Sequence, residues 1–119
     1  MSQPTPHLKV ANDGQVTVVE LTPKKILGEM SIMQIGQQLY ALAAGSASPR
    51  MALDFTNVAH MSSSALGVLI TLHKRVREKG GRMVLCNIQP AIYEIFAITR
   101  LNEIFSIQAN RQEAILALQ

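Results

Sequence analysis

The stretch "MALDFTNVAHMSSSALGVLITLHKRVREKGGRMVLCNI", Met51 to Ile88, contains a strand, a helix and a second strand in succession. "MALDF" is a short apolar run interrupted only by Asp54 near its C-terminal end, and it suits a central strand buried on both faces. After three consecutive serines, Ser62, Ser63 and Ser64, the residues Ala65, Val68, Leu69, Leu72 and Val76 recur at helical spacing and predict a helix from Ser64 to Lys79. Arg77 and Lys79 in its last turn and the pair Gly80-Gly81 close it. "RMVLCNI" is then a second buried strand. Strand, crossover helix and strand of this kind imply parallel pairing, with helices packed on the sheet.

The flanks continue the alternation. "LKVANDGQVTVVEL" predicts two short strands about a turn at Asn12-Asp13-Gly14, where Asp-Gly supplies the positive-φ positions of a hairpin. Pro23 stops the second strand, and the connection through Gly28 carries no clear period. From Ser31, with Gln34 as a capping-box partner, Ile32, Ile35, Leu39 and Leu42 share a helical face that ends at Gly45. Beyond the central unit, "AIYEIFAIT" after Pro90 predicts a helix, "IFSIQAN" a short strand and "RQEAILALQ" a C-terminal helix. The expected class is α/β: a mixed, mostly parallel sheet with an N-terminal hairpin strand and about four α-helices packed on it. Residues 1–7, with Pro4 and Pro6, are expected to form a flexible tail, and residues 8–119 a single domain.

Composition narrows the function classes. A chain of 119 residues that is 48% hydrophobic can bury one core, but aromatics make up only 4%, which leaves little for stacking bases; no direct nucleic-acid partner is expected. The net charge of +3 is spread along the chain except at Lys74, Arg75, Arg77 and Lys79, which suit a solvated helix face. Cys86 is alone in an apolar run and is expected to pack as a small hydrophobe, outside any disulfide or metal set. The N-terminus has no secretory pattern and the longest uncharged stretch is too polar to span a membrane, so a cytoplasmic location is expected. No P-loop pattern G-x-x-x-x-G-K-[ST] is present, and neither a cofactor nor a metal is expected.

The serines lie after a strand's C-terminal end, where function gathers in open α/β sheets. Ser62 or Ser63 can serve as an N-cap, worth about 1 kcal/mol, but one cap leaves two serines unexplained. A serine nucleophile would use His60 or His73 as base and Asp54 as orienter, yet Met61-Ser62-Ser63-Ser64-Ala65 lacks the glycines of a nucleophile elbow, so no catalytic residue is assigned. A phosphate is the third option, since free N–H groups and the helix dipole favour an anion there. At about 100° per residue, Ser63, Leu66, Ile70 and Lys74 share a side displaced from the core stripe of Ala65, Leu69, Leu72 and Val76. Leu66 and Ile70 are therefore expected to be partly exposed, with Lys74, His73 and Arg77 at the rim; His60 is expected in the loop and His73 on the surface at the flank of the helix.

The segment from "LDFTNVAHMSSSALG" through "VLCNI", with "ITRLNEIFSI" and "EAILAL", resembles the STAS domain, and in particular bacterial anti-sigma-factor antagonists. The likeness runs from about Val16 to Leu118. That family opens the corresponding helix with Asp-Ser-Ser/Thr-Gly-Leu-Gly, which Ser62-Ser63-Ser64-Ala65-Leu66-Gly67 parallels with Ser62 in place of Asp and Ala65 in place of Gly.

The resemblance implies a non-enzymatic switch protein. Unphosphorylated, it would bind an anti-sigma factor that is also a serine kinase and so free a sigma factor; phosphorylation of Ser63 would abolish binding and a phosphatase would restore it. Ser62 and Ser64 are the alternative acceptors. The contact surface implied comprises Asn57, Ser62, Ser64, Ala65, Leu66, Gly67, Ile70 and Lys74, with Asp54 anchoring the loop, Asn57 hydrogen-bonding to Asp54, and Gly67 allowing close approach of the helix. STAS domains also serve lipid-transport ABC systems as accessory subunits, and stress signalling as scaffold subunits. Either alternative would use the same helix for constitutive docking.

Overall fold

The computed structural model describes residues 7–119. The tail expected over residues 1–7 therefore lies outside the described residues except for His7, whose carbonyl accepts the Thr22 N–H at 2.9 Å and whose Nε2 meets Gln34 Oε1 at 3.0 Å.

The elements run β1 (Leu8–Asp13), β2 (Val16–Leu21), β3 (Lys25–Ile26), α1 (Glu29–Ala44), β4 (Arg50–Asp54), β5 (His60–Met61), α2 (Ser63–Glu78), β6 (Arg82–Cys86), α3 (Pro90–Ile98), a 3₁₀ turn at Leu101–Glu103, β7 (Ser106–Gln108) and α4 (Arg111–Leu118). The main sheet has five strands in the order β1-β2-β4-β6-β7. Among the described residues only the β1–β2 pair is antiparallel. The hairpin turn falls at Gly14 and Gln15, one residue past the expected centre, with Gly14 at φ 62°. This is the mostly parallel α/β architecture expected, with four α-helices among the described residues and with "MALDF" in the central strand.

Side-chain alternation divides the core. Val19, Leu21, Met51, Leu53, Met83 and Leu85 point to the face covered by α1, α2 and α3. Val16, Val18, Ala52, Val84 and Cys86 point to the other, where Ala114 and Leu118 of α4 meet them. Cys86 is fully buried, and burial followed by the nearby Asp54 carboxylate pushes its thiol up to about 12, so it stays an inert hydrophobe.

Three local features depart from expectation. Helix α1 begins at Glu29 rather than Ser31: Gly28 stands at the N-cap, its carbonyl accepting the Ile32 N–H at 3.0 Å, and the Ser31–Gln34 capping box does not form because Gln34 engages His7. The unassigned connection contains β3, which pairs in parallel with β5 as Lys25↔His60 and Ile26↔Met61. Strands this short carry no period that sequence can display. Part of the basic cluster is also engaged: Arg75 lies 4.2 Å over the Tyr40 ring and Lys79 Nζ donates to the Ala44 carbonyl at 2.9 Å, joining α2 to α1.

Glycine permits the closest approaches. A Cβ on Gly36 would sit 3.4 Å from both Val68 methyls, so α1 and α2 touch there and Val68 is half-buried. At the end of α2 the Gly81 N–H bonds the Val76 carbonyl at 2.9 Å, and Gly80 takes φ 72°, a Schellman-type stop.

Candidate functional site

Because β3 and β5 are parallel and each leads directly into a helix, α1 and α2 start side by side at one end of the molecule. The Ser62 N–H donates to the Ile26 carbonyl at 3.0 Å, and the Ala59 and His60 N–H groups share the Lys24 carbonyl at 2.8 and 3.1 Å. Ser62 is the N-cap, so α2 begins one residue before the expected Ser64. Its hydroxyl makes no cap bond, however, and is buried without a partner. Ser63 and Ser64 occupy the first turn, and both are exposed.

Along the outward face of α2, Ser63, Gly67 and Lys74 are exposed and Ile70 is half-buried. No atom lies within 4 Å of a Cβ placed on Gly67, so its lack of a side chain serves no contact inside the fold. Ala65 is buried as part of the core stripe. Leu66, expected to be partly exposed, is only 6% exposed and belongs to the core. Seven residues on, His73 packs edge-to-face on Phe105 at 5.4 Å, so this side of α2 also faces the interior. His73 is accordingly half-buried rather than on the open surface. Its Nδ1 is buried without a partner, and burial first, then the Arg77 charge, lowers its pKa. His60 is exposed, and among the described residues neither histidine hydrogen-bonds a hydroxyl of Ser62, Ser63 or Ser64.

At the C-terminal end of β4, Asp54 is 3% exposed and organises a polar network. Its Oδ1 accepts the Thr56 N–H at 2.9 Å, the Thr56 hydroxyl, and Asn87 Nδ2 at 3.1 Å. Its Oδ2 accepts Arg111 Nε at 3.0 Å and Nη2 at 2.8 Å. Burial works to raise the carboxyl pKa, but the bonds from Thr56, then Asn87 and Arg111, outweigh it and hold the group below its ordinary value.

Asp54 thus anchors the loop, but Asn57 is not its partner. The Asn57 amide donates to Glu20 Oε2 at 2.9 Å and to the Leu21 carbonyl at 3.4 Å, because the loop passes over the end of β2. Gln89 Nε2 adds a bond to the Thr56 carbonyl at 3.2 Å. Sequence reasoning did not find Glu20, Thr56, Asn87, Gln89 or Arg111. The one available signal was parity, which places Glu20 and Asp54 on the face where α4 lies.

A second feature it did not find lies at the start of α1 and in the residues leading into it. Leu27, Met30 and Met33 are 51%, 68% and 53% exposed. With Gly36 opposite Val68, one turn back sets Met33 level with Ser64. Lys24, Lys25 and His60 are exposed beside them, and α2 has no acidic residue in its first turn. The cluster is an exposed hydroxyl, a bare glycine and an apolar patch with a basic edge.

The family whose description is "STAS domain" matches residues 11–114. The anti-sigma F factor antagonist of Paenibacillus polymyxa is 31% identical over 67 residues, covering 56% of this chain and 57% of that protein. This chain therefore spans less than two thirds of that relative's length. The anti-sigma-B factor antagonist of Bacillus subtilis is 31% identical over 90 residues, covering 73% of this chain and 81% of that one. Among solved structures, an anti-sigma-factor antagonist (STAS) domain protein from Planctomyces limnophilus superposes with a TM-score of 0.83 at 26% identity, over 93% of this chain and 97% of that one. No helix among the described residues is long and apolar enough to cross a membrane.

Proposed function

This chain belongs to the STAS domain family, and we propose that within it the protein acts as an anti-sigma-factor antagonist, a phosphorylation-switched binding protein and not an enzyme. Unphosphorylated, it binds an anti-sigma factor that is also a serine kinase, in the cytoplasm, and so frees a sigma factor for transcription. Ser63 is the acceptor, and a phosphatase resets the switch.

The observation that carries this is the Ser63 hydroxyl, exposed in the first turn of α2 one turn before uncovered Gly67, at the end of the molecule where exposed Leu27, Met30 and Met33 mark the start of α1. A phosphate on Ser63 sits at the positive end of the helix dipole, so the fold tolerates it. The same dianion in the middle of an apolar docking surface must be desolvated when the partner closes over it, and binding is lost. Asn57, Ser62, Ser64, Gly67, Ile70 and Lys74 frame the contact. Ala65 and Leu66 support it from beneath, since both are buried.

The test is intact-mass analysis and site mapping after incubation with the serine kinases of the source organism. One phosphate on Ser63, absent from Ser63→Ala, is expected; a protein that never takes up phosphate on Ser62, Ser63 or Ser64 refutes the switch. Captures with wild-type, Ser63→Ala and Ser63→Asp baits should recover the kinase with the first two only. Recovery of ABC-transporter subunits by all three would favour constitutive docking instead.

A further inference from the structure

Arg111 is the first residue of α4, a helix fixed at its start by Asn110, whose Oδ1 accepts the Glu113 N–H at 2.9 Å, and along its length by Ala114 and Leu118 in the core. Its guanidinium therefore reaches the C-terminal edge of the sheet from a firm base. There Glu20 and Asp54 are direct neighbours in the β2–β4 register, two carboxylates on adjacent strands. Arg111 Nη2 lies between them, 3.0 Å from Glu20 Oε1 and 2.8 Å from Asp54 Oδ2.

Each carboxylate gives one oxygen to Arg111 and the other to the loop after β4. Glu20 Oε2 takes the Asn57 amide, and Asp54 Oδ1 takes the backbone and side chain of Thr56. From Thr56 the chain continues through the buried Val58, whose N–H bonds the Phe55 carbonyl at 3.0 Å, to Ala59 and His60 on Lys24 and Ser62 on Ile26. An unbroken set of contacts runs from α4 to the N-cap of α2. Without the guanidinium, the paired carboxylates repel and turn away from the loop.

We propose that Arg111 is a positioning residue for the docking surface: it clamps Glu20 and Asp54 so that both hold the loop Phe55–Ala59, and with it the start of α2, in the shape presented to the partner. The proposal rests on the switch reading only for what is being positioned. The charged or titratable groups around Asp54 are Glu20 from β2, Arg111 from α4 and the thiol of Cys86, its neighbour on β6.

The experiment uses the full, isotopically labelled chain with no partner present. In Arg111→Met, which removes three hydrogen bonds to carboxylates, the amides of Thr56, Val58, Ala59 and Ser62 should exchange at least about tenfold faster, the factor that losing even one hydrogen bond to a charged group would give. The amides of Val84 to Cys86 should stay within about twofold of wild type. The Asp54 carboxyl carbon should titrate at higher pH than in wild type, because a cation that favours the carboxylate is gone. Arg111→Lys keeps a charge but cannot fork between two carboxylates, and should fall between the two; it also serves if the methionine variant does not fold.

Unchanged loop exchange in both variants overturns the proposal. So does acceleration spread evenly over the sheet, or an Asp54 titration that does not move. Because partner and kinase are absent from this test, a Ser63 that never accepts phosphate would sink the switch and leave the Arg111 result standing, and the reverse holds equally.

Discussion

Replacing Gly67 by alanine should change stability and binding in opposite directions. The residue lies inside α2, and its substituted Cβ would meet nothing within 4 Å. Alanine therefore adds no clash and removes backbone freedom from the unfolded chain, a gain of about 1 kcal/mol. For a chain of this length, that raises Tm by about 4 °C. At a docking surface the same methyl stands where a partner's backbone would approach, and a misfit of about 1.4 kcal/mol weakens binding roughly tenfold.

Thermal unfolding followed by circular dichroism reads the first effect. Titration calorimetry with the captured kinase reads the second. A lower Tm would mean that Gly67 is needed inside the fold. A higher Tm with unchanged affinity would mean that the partner does not approach this face, and the docking assignment would fail. Gly36 supplies the contrast, because its Cβ would press on Val68 at 3.4 Å and alanine there should gain nothing.

Three further outcomes are expected. Ser62→Ala should cost less than about 0.5 kcal/mol in urea unfolding, well under the usual loss of about 1 kcal/mol for an N-cap, since its buried hydroxyl has no partner to lose. A full cap penalty would show that the hydroxyl is engaged in solution. His73 should make stability fall as pH drops below 6.5: its folded pKa is lowered, so the unfolded chain takes up the proton first, and the loss grows until pH reaches the folded value. Urea midpoints compared between wild type and His73→Gln from pH 7.5 to 5 check this, and parallel curves would refute it. Gly81→Ala should destabilise by about 2 kcal/mol or more, because its Cβ would lie 2.1 Å from the Pro49 carbonyl oxygen; wild-type stability would show that the backbone there yields freely.

Much of the fold was legible in local pattern. The apolar runs around Leu53 and Leu85, the helical spacing of Ala65, Leu69, Leu72 and Val76, and the Gly80-Gly81 stop each carry a signal within a few residues. The α1 start was misplaced because Ser31 and Gln34 match a capping box by spacing alone, whereas Gln34 is drawn to His7, 27 residues away in sequence. The two-residue strands β3 and β5 were invisible for a related reason: each exists only as the other's partner.

The candidate site divides the same way. That a polar, serine-rich start of a helix follows a buried strand ending in an acid could be stated from the chain alone, since strand period, helix period and turn chemistry are properties of neighbouring residues. Which of those residues face outward could not. Leu66 is covered by the core it joins, Gly67 is bare with no atom near its Cβ position, and Asp54 is held by Arg111, 57 residues later in sequence. Sequence determined the longer elements and their order, because those follow from local backbone and side-chain periodicity. Tertiary structure alone decided exposure and the partners of the buried charges, because both depend on which distant segments the fold brings into contact.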